Sequence, residues 1–459
     1  MNKLILFGAG VYAKKFKALL EYLEVDFDYF TDNDENKWGK FLYGKQIISP
    51  KELKKFKKCR IIISCIHEIS IKEQLKKMGL QNNIIGMEEL YVLCEKKQYV
   101  HTNKSIQKNS RPMAIIDMYE GIGWGGTELW AAELAKLLSE RKINTILIGG
   151  VDQIPLGEEY EKLINRMPEY NTIMHMVNLF EDNLPCTFIN NFAGCAFMAA
   201  NIVKRRYPDK IKIISVIHSD NKALFDAHMY MSKYIDSIFC VSNQIKNNMQ
   251  NLYSYDCTKY YFKEQPISTN NYDISEKEVS TVIKIGYAGR LVKQHKRADL
   301  LINLIQGLEK EEINYFLQIA GEGECFEPIQ NYIQENNLDK KVCLWGRIEK
   351  KQMPDFWKKT NVFVNISECE GTSLSMLEAM SYCCAPVVTD VSGAKEFISH
   401  GENGYICEIG NLCQLVKYIR ILSNDLDKLK EFGKKSREIV VKKCDTKQYI
   451  EYWINNLLL

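Results

Sequence analysis

The sequence predicts three α/β domains in series, each built on a parallel sheet covered by helices. Short apolar runs alternate with segments of helical period almost from end to end, and this rhythm restarts twice. At 459 residues, the chain is too long for one hydrophobic core. Apolar residues make up 46% and charged residues 26%, which is ordinary for a globular protein, so the chain is expected to fold throughout.

The apolar runs locate the strands and the domain boundaries. The predicted strands are 3–7, 27–30, 60–64 and 83–86 in the first unit, 113–117, 144–148, 186–190, 212–217 and 237–241 in the second, and 284–288, 315–320, 341–345, 361–365 and 386–389 in the third. Polar stretches separate the units. The predicted domains are 1–95, a linker 96–111, 112–275, 276–440, and a C-terminal helix 441–459.

Charge, cysteine usage and hydropathy exclude several classes. A formal charge of +3 is too small to indicate nucleic acid as the main partner. The fifteen cysteines are scattered, with no CxxC pair, which predicts neither a disulfide framework nor a metal site but small buried side chains in a reducing cytoplasm. No apolar stretch approaches the ~20 residues that span a bilayer. The first residues predict a strand entering a turn rather than a signal peptide.

The strongest local signal is a pair of glutamates in the third unit, Glu370 and Glu378, after the predicted strand 361–365. Gly371, Thr372 and Ser373 favour a helix entry rather than a helix interior, which places Glu370 in a loop and Glu378 about one turn into the helix. A strand, a turn of small residues and a helix together direct free backbone N–H groups at an anion such as phosphate. A capping box beside an ordinary surface glutamate is the alternative.

A basic segment follows the first strand of the same unit. Arg290, Lys296 and Arg297 come after Gly289 at a strand–helix turn. Ligands of doubly wound sheets bind beyond the carboxyl ends of the strands, so this turn and the Glu370 loop are expected to face one crevice. Two fixed cations there could neutralise a diphosphate and stabilise it as a leaving group. A solvated basic loop is the alternative.

Residues 284–411 resemble the C-terminal lobe of family-4 retaining glycosyltransferases. The resemblance is carried by Arg290 and Lys296, the Gly-Glu-Gly-Glu turn at 321–324, the E-x7-E pair and the segment Gly-Glu-Asn-Gly-Tyr at 401–405. It implies the GT-B fold, in which two Rossmann-like lobes face each other across a cleft, here with an additional N-terminal Rossmann-like domain.

The resemblance also implies roles for individual residues. Glu370 would hold hydroxyls of the donor sugar and Glu378 the ribose, while Arg290 and Lys296 would bind the diphosphate. Donor-binding positions are expected to be Glu378, Gly371, Thr372, Ser373, Leu374, Gly346, Arg347, Gly125 and Gly126. Family members often have glycine where this chain has Ser373, a departure that bears on which donor is bound.

The second unit would then be the acceptor lobe. Gly125 and Gly126 lie in a glycine-rich segment between a strand and a helix, where relatives place a loop that faces the donor phosphate. His218 ends the predicted strand 212–217, so it would point into the cleft and contact the donor sugar or the reaction centre. A structural partnership with Asp220 is the alternative. The C-terminal helix is expected to cross back onto this lobe.

The first unit has a Rossmann layout of its own. Gly8, Gly10 and Ala13 lie between a strand and a helix, and Asp32 ends the next strand. The stretch 31–39, followed by 47–50, resembles small Rossmann-like domains fused to several sugar-pathway enzymes. Two interpretations stay open: a nucleotide or nucleotide-sugar site with Gly8, Gly10 and Asp32, or a degenerate docking domain.

Together these features predict a retaining glycosyltransferase that uses a UDP- or GDP-sugar without cofactor or metal. Glu370, His218, Arg290 and Lys296 would form the reaction centre. The acceptor would be a glycan or a lipid-linked saccharide, as in cell-surface polysaccharide synthesis. The location would be cytoplasmic, or peripheral at the inner face of the membrane. A sugar-nucleotide epimerase of similar fold and a non-catalytic nucleotide-sugar-binding subunit are the alternatives.

Overall fold

A computed structural model describes residues 3–56, 58–65, 67–96, 113–117, 126–148, 165–166, 173–192, 194–231, 234–253, 259–267 and 277–458. Within these ranges, the chain forms three sheets flanked by helices. Of the sequence predictions, Gly125 and nearly all of the predicted linker 96–111 lie outside the described residues.

The first sheet has six strands, in the order β3-β4-β2-β1-β5-β6, and every pair but β3–β4 is parallel. Its elements are β1 (Lys3–Phe7), α1 (Ala13–Tyr22), β2 (Tyr29–Thr31), β3 (Phe41–Leu42), β4 (Lys45–Ile48), β5 (Cys59–Ile63), α2 (Glu68–Lys77), β6 (Ile84–Ile85) and α3 (Met87–Lys96). Sequence analysis missed the β3–β4 hairpin because its strands are too short to show an alternating pattern.

The second sheet has seven parallel strands, in the order β13-β12-β11-β10-β7-β8-β9. Its elements are β7 (Met113–Asp117), α4 (Gly126–Glu140), β8 (Asn144–Ile148), β9 (Asn165–Arg166), α5 (Ile173–Asp182), β10 (Cys186–Asn190), α6 (Cys195–Arg206), β11 (Ile211–Ile217), α7 (Lys222–Met231), β12 (Ser237–Cys240), α8 (Asn243–Leu252) and β13 (Lys259–Phe262). From β7, the chain adds strands toward one edge of the sheet, and from β10 it adds them toward the other edge. The point between β7 and β10 is therefore the reversal point of the strand order, and the carboxyl ends of the strands there are a ligand-binding position.

The third sheet has six parallel strands, in the order β16-β15-β14-β17-β18-β19. The reversal point of its strand order lies between β14 and β17. Its elements are β14 (Ile283–Ala288), α9 (Leu301–Lys310), β15 (Tyr315–Ala320), α10 (Phe326–Glu335), β16 (Val342–Gly346), α11 (Met353–Lys358), β17 (Val362–Asn365), α12 (Leu374–Ser381), β18 (Ala385–Thr389), α13 (Ala394–Phe397), β19 (Tyr405–Cys407), α14 (Leu412–Asn424) and α15 (Leu426–Lys443).

After α15, the chain returns to the second unit as α16 (Thr446–Trp453) and a π-helical turn, Ile454–Leu458. Trp453 is fully buried and packs against Phe239 of β12 at 4.6 Å between ring centroids. Trp130 Nε1 of α4 donates a hydrogen bond to the Tyr449 hydroxyl at 2.9 Å. The aromatic stripe of this segment is therefore used for packing between units. No helix among the described residues combines the length and apolar character needed to cross a bilayer.

The first unit packs on the second through α1, α3 and α6, and their apolar residues share one core cluster. Arg206 of α6 donates to the Tyr22 hydroxyl of α1 at 3.1 Å and to the Cys94 carbonyl of α3 at 3.2 Å. The Tyr230 hydroxyl of α7 donates to the Ile63 carbonyl at the end of β5 at 2.8 Å. The carboxyl edge of the first sheet is therefore in direct contact with the second unit.

We expect Trp453→Ala to lower the free energy of unfolding by about 3–5 kcal/mol, because truncating a fully buried tryptophan leaves a large cavity. Urea unfolding followed by circular dichroism measures the effect. The matched control is Val441→Ala on α15, a residue that is 44% exposed and whose substitution should cost less than about 0.5 kcal/mol. Equal effects would contradict a packing role for the C-terminal segment.

Candidate active site between the second and third sheets

The loops after β14 and β17 lie side by side because these two strands are neighbours at the reversal point of the third sheet. The Glu368 N–H donates to the His295 carbonyl at 2.9 Å, which ties the two loops together. His295 and Arg297 have positive φ angles of 65° and 49°, so the basic loop is held in an uncommon conformation. The structure thus brings the basic loop and the Glu370 loop to one place.

Glu370 and Lys296 form a largely buried ion pair at the centre of these loops. Lys296 Nζ lies 2.6 Å from Glu370 Oε1, and the two side chains are 22% and 10% exposed. Ser367 Oγ and Asn365 Nδ2 donate to the same oxygen at 2.8 and 3.4 Å. Burial alone would raise the pKa of Glu370, but the Lys296 charge and these hydrogen bonds outweigh it and lower the pKa. Glu370 is therefore an ionised, fixed acceptor.

Helix α12 begins directly after this loop. Ser373 is its N-cap, and Ser373 Oγ accepts from the Met376 N–H at 3.3 Å. Ser373 Oγ also lies 3.2 Å from Ser375 Oγ. Ser373 therefore turns toward its own helix and takes one of the N–H groups that a bound anion could have used.

Glu378 lies in α12, and its surroundings differ from those of Glu370. Glu378 Oε2 accepts a hydrogen bond from Trp357 Nε1 at 3.4 Å. Burial raises the pKa of Glu378, against the opposing effects of that bond and the Lys350 charge. Among the described residues, no direct contact joins Glu378 to the Lys296–Glu370 pair. Two glutamates in one motif thus have opposite pKa shifts.

The remaining predicted residues of the third unit lie at the ends of neighbouring strands. Arg290 follows β14 and is exposed, without an ion-pair partner in the described part of the chain. Gly346 ends β16 with a φ of +68°, its carbonyl accepts the Gly321 N–H at 2.8 Å, and the exposed Arg347 follows it. All of these lie at the carboxyl edge of the third sheet, where a ligand would bind.

The Glu370 loop also forms the contact with the second unit. A Cβ placed on Gly371 would lie 2.1 Å from the His218 carbonyl oxygen, so only glycine fits there. Thr372 Oγ1 donates to the Val241 carbonyl at 2.8 Å, and the Asp220 N–H donates to the Glu370 carbonyl at 3.2 Å. A Cβ placed on Gly126, the first residue of α4, would lie 3.8 Å from Leu374 Cδ1 of the third unit.

A second set of contacts extends this interface between the second and third units, which we call the seam. Ser242 Oγ lies 2.8 Å from Ser392 Oγ, and Ser242 also caps α8 by accepting from the Ile245 N–H at 3.1 Å. Glu396 Oε1 of α13 accepts the N–H groups of Asn243 and Gln244, at 2.6 and 3.3 Å. A carboxylate of the third unit therefore helps to cap a helix of the second.

His218 lies at this seam, at the carboxyl end of β11. Its Nε2 is 2.8 Å from Asn191 Oδ1, and its ring packs edge-on against Trp130 at 4.9 Å. Burial lowers the pKa of His218 to about 3, with a smaller contribution from His228, so the imidazole is neutral near pH 7. The alternative partner Asp220 instead accepts from Asn248 Nδ2 at 2.9 Å, and that alternative is wrong.

Two site residues were not found by sequence analysis. Asn191 follows β10, and its Nδ2 donates to the Asp117 carbonyl at 2.8 Å across the reversal point of the second sheet. Its backbone N–H donates to the Asp117 carboxylate. The signal available in the sequence was polar residues ending two apolar strands, but which strands are neighbours is a property of the fold.

The predicted nucleotide residues of the first unit are engaged within that unit. Asp32 accepts the Ala9 N–H at 2.7 Å and the Asp34 N–H at 2.9 Å, and it pairs with Lys37 at 3.1 Å. A Cβ on Gly8, whose φ is +121°, would lie 2.9 Å from the Ser64 carbonyl, whereas one on Gly10 would contact nothing. Burial would raise the pKa of Asp32, but these bonds lower it.

Residues 269–439 match the family described as glycosyl transferases group 1. Residues 1–85 match a separate domain described as C2185-like, N-terminal. The family match covers the third sheet with α9 to α14 and most of α15, including the Lys296–Glu370 pair.

The curated proteins to which this chain is similar include several that are named as glycosyltransferases. Poly(ribitol-phosphate) alpha-N-acetylglucosaminyltransferase of Staphylococcus aureus is 33% identical over 175 residues, which are 37% of this chain and 34% of that protein. N-acetyl-alpha-D-glucosaminyl L-malate synthase of Bacillus anthracis is 22% identical over 282 residues, 57% of this chain and 70% of that protein. The chain thus spans about a third of the first relative's length.

Solved structures show that the second and third units form a GT-B fold. Anabaena HepE in complex with UDP-glucose aligns with a TM-score of 0.60 at 16% identity, over 75% of this chain and all of that one. Staphylococcus aureus TarM in complex with Fondaparinux, alpha-GlcNAc-glycerol and UDP aligns with a TM-score of 0.54 at 23% identity, over 62% of this chain and 58% of that one. The first unit is an additional α/β domain.

We expect Lys296→Met to destabilise the protein by about 3–5 kcal/mol, because it leaves the Glu370 carboxylate buried and unpaired. The control Lys395→Met breaks the exposed Lys395–Asp390 pair of equal length and should cost about 0–1 kcal/mol. Urea unfolding at pH ~7 compares the two. Equal losses in the free energy of unfolding would show that the buried ion pair contributes no more to stability than the exposed one.

The pH dependence of the same pair has a defined sign. The pKa of Glu370 is lower in the folded protein than its ordinary value of 4.5, so the stabilisation is fully present above pH 4.5 and is lost as the pH falls through the lower folded pKa. Below pH 4.5, wild type should therefore lose more stability than Glu370→Gln. Parallel losses in the two proteins would refute this.

We expect Gly371→Ala to separate the second and third units, because its methyl group would overlap the His218 carbonyl. Small-angle X-ray scattering should show a larger radius of gyration for this variant. Gly86→Ala is the control, since an added Cβ there contacts nothing and φ is not positive. An unchanged radius of gyration for Gly371→Ala would rule out the close approach.

Proposed function

We propose that this protein is a retaining glycosyltransferase that moves a sugar from a nucleoside-diphosphate sugar, a UDP- or GDP-sugar, to an acceptor hydroxyl. The observation that carries the proposal is the juxtaposition of the Lys296–Glu370 pair, the start of α12 and His218 at one seam between the two lobes. The UDP and UDP-glucose named for the structural neighbours support a nucleotide-sugar donor.

The charges of the site suit a leaving diphosphate. Lys296 and Glu370 are together neutral, so the net positive charge comes from the exposed Arg290, while Lys296 keeps N–H groups to donate. The N–H groups at the start of α12 add a partial positive charge. These fixed donors would stabilise the diphosphate as negative charge develops on it, the role a metal has in other enzymes.

The carboxylate of Glu370 suits sugar hydroxyls. It is ionised and held by Lys296, Ser367 and Asn365, and those donors meet at Oε1. Its second oxygen could therefore accept hydrogen bonds from hydroxyls of the transferred sugar. Glu378 would bind the ribose, and the backbone at Gly346 and Arg347 would meet the base.

The reaction we propose is a same-face displacement. The acceptor oxygen forms a bond to the anomeric carbon on the face from which the diphosphate leaves, and the bond from that carbon to the diphosphate oxygen breaks. The acceptor proton passes to the departing phosphate oxygen. A pKa of about 3 makes the imidazole of His218 a weak base near pH 7, so we assign it hydrogen bonding to the sugar and not removal of the acceptor proton.

The acceptor is proposed to be a glycan or lipid-linked saccharide of the cell surface. The support is that relatives are named for transfer to poly(ribitol-phosphate) in Staphylococcus aureus and for lipopolysaccharide galactosyl transfer in Escherichia coli. A cytoplasmic protein, with or without peripheral contact to the inner face of the membrane, would meet both the donor and such an acceptor.

The test is a panel of UDP-, GDP- and ADP-sugars without added metal, read by thermal stabilisation and by release of free nucleotide. One donor should stabilise the protein, and Arg290→Ala should lower turnover by about 10²–10³-fold. Glu370→Ala should abolish turnover, whereas the control Glu368→Ala, a 41% exposed carboxylate two residues earlier, should retain it. The anomeric configuration of the product, read by NMR, should match that of the donor.

Other outcomes contradict parts of the proposal. An inverted product would exclude retention, and loss of transfer in EDTA would exclude metal independence. An epimerised nucleotide sugar without acceptor would favour an epimerase. Binding without turnover would favour a nucleotide-sugar-binding subunit.

A further inference from the structure

The hydrogen bonds around Asn191 determine which ring nitrogen of His218 carries the proton. Asn191 Nδ2 lies 2.8 Å from the Asp117 carbonyl oxygen. A carbonyl oxygen only accepts, so the amide nitrogen must be on that side, and Oδ1 must face the histidine. Oδ1 also only accepts, so His218 Nε2, at 2.8 Å, must be the donor.

The opposite ring nitrogen is left available. A neutral imidazole has one proton, and here Nε2 holds it, so Nδ1 has a lone pair. His218 is half-buried, and within the described ranges the hydrogen bond of its ring is the one at Nε2, so Nδ1 has no partner there. Its backbone carbonyl lies against Gly371, next to Glu370. A ligand held by Glu370 would therefore lie close to this histidine.

The other tautomer of His218 would lose the hydrogen bond to Asn191. With the proton on Nδ1, Nε2 and Asn191 Oδ1 would be two acceptors facing each other at 2.8 Å. Asn191 cannot rotate its amide to compensate, because its oxygen would then face the Asp117 carbonyl. The backbone bond from the Asn191 N–H to the Asp117 carboxylate further fixes this residue.

We propose that Asn191 is a positioning residue that holds His218 as the Nε2–H tautomer, so that Nδ1 accepts a hydrogen bond from a hydroxyl of the sugar bound in the cleft. The inference rests on the proposed function for the identity of the ligand. His218 is already expected to contact the donor sugar, and the new assignment is Asn191, which does not touch the sugar but controls which nitrogen of the histidine carries the proton.

The first experiment reads the tautomer directly in the unliganded full-length protein. Two-dimensional ¹H–¹⁵N NMR of the imidazole nitrogens distinguishes the Nε2–H and Nδ1–H forms, and a His218→Gln variant assigns the signal. We expect the Nε2–H form in wild type and a mixture of both forms in Asn191→Ala. An Nδ1–H form in wild type would overturn the proposal, whether or not the protein transfers sugar.

The second experiment separates recognition from folding. Asn191→Ala should raise the KM for the nucleotide sugar about five- to tenfold and leave kcat within about twofold, because a bond made equally in ground and transition states affects binding alone. Affinity for the free nucleoside diphosphate, which has no sugar, should not change. A fall in kcat with unchanged KM, or an equal loss of nucleoside-diphosphate affinity, would overturn the proposal.

Asn190→Ala is the matched control. Asn190 is the buried neighbour of Asn191, but its Nδ2 contacts Ser215 and a different histidine, His228, both at 3.2 Å. It should leave the His218 tautomer and KM unchanged. An equal KM increase in this control would show a general structural effect. A wild type without turnover would refute the proposed function and the sugar contact, while the NMR result would still decide how Asn191 affects the ring.

Discussion

The arrangement of the cleft depends on the close approach of Gly371 to the His218 carbonyl. The 2.1 Å between that oxygen and a hypothetical Cβ leaves room for a hydrogen atom only. This contact brings the carboxyl end of β11 against the loop after β17, which lies at the reversal point of the third sheet. Because Glu370 precedes Gly371, the same contact sets the distance between the carboxylate and the histidine. The glycine is thus required by the meeting of two lobes and not by backbone freedom, since its φ is not positive.

The site combines rigidity with a low net charge. A buried carboxylate alone would be costly, and its ion pair with Lys296 removes that cost while fixing both side chains. The neighbouring histidine is kept neutral by burial and is oriented by an uncharged amide. The exposed Arg290 then supplies positive charge at the rim. Such a site is already organised before an anionic ligand arrives, so little reorganisation accompanies binding.

Sequence reasoning could predict the features that arise from local order along the chain. Ser373 as a helix cap placed Glu370 in the loop and Glu378 in the helix, and both positions are as the structure has them. The parallel sheets followed from buried apolar runs, whereas the β3–β4 hairpin was too short to detect. Asn191 and Asp117 are 74 positions apart and meet only because β10 pairs with β7. No local pattern encodes that pairing. For the same reason, the sequence suggested the nearby Asp220 as the partner of His218, whereas the actual partner, Asn191, comes from another strand end.

The first unit shows how a ligand-like motif can be used for internal structure. In a dinucleotide site, the acidic residue after the second strand binds a ribose. Here Asp32 accepts the N–H of Ala9 from the glycine-rich turn and pairs with Lys37, so the groups that would receive a nucleotide bind each other. At the same edge, Tyr230 of the second unit donates to the Ile63 carbonyl. These contacts show that part of the carboxyl edge of this sheet is used within the molecule, and both interpretations of the first unit stay predictions.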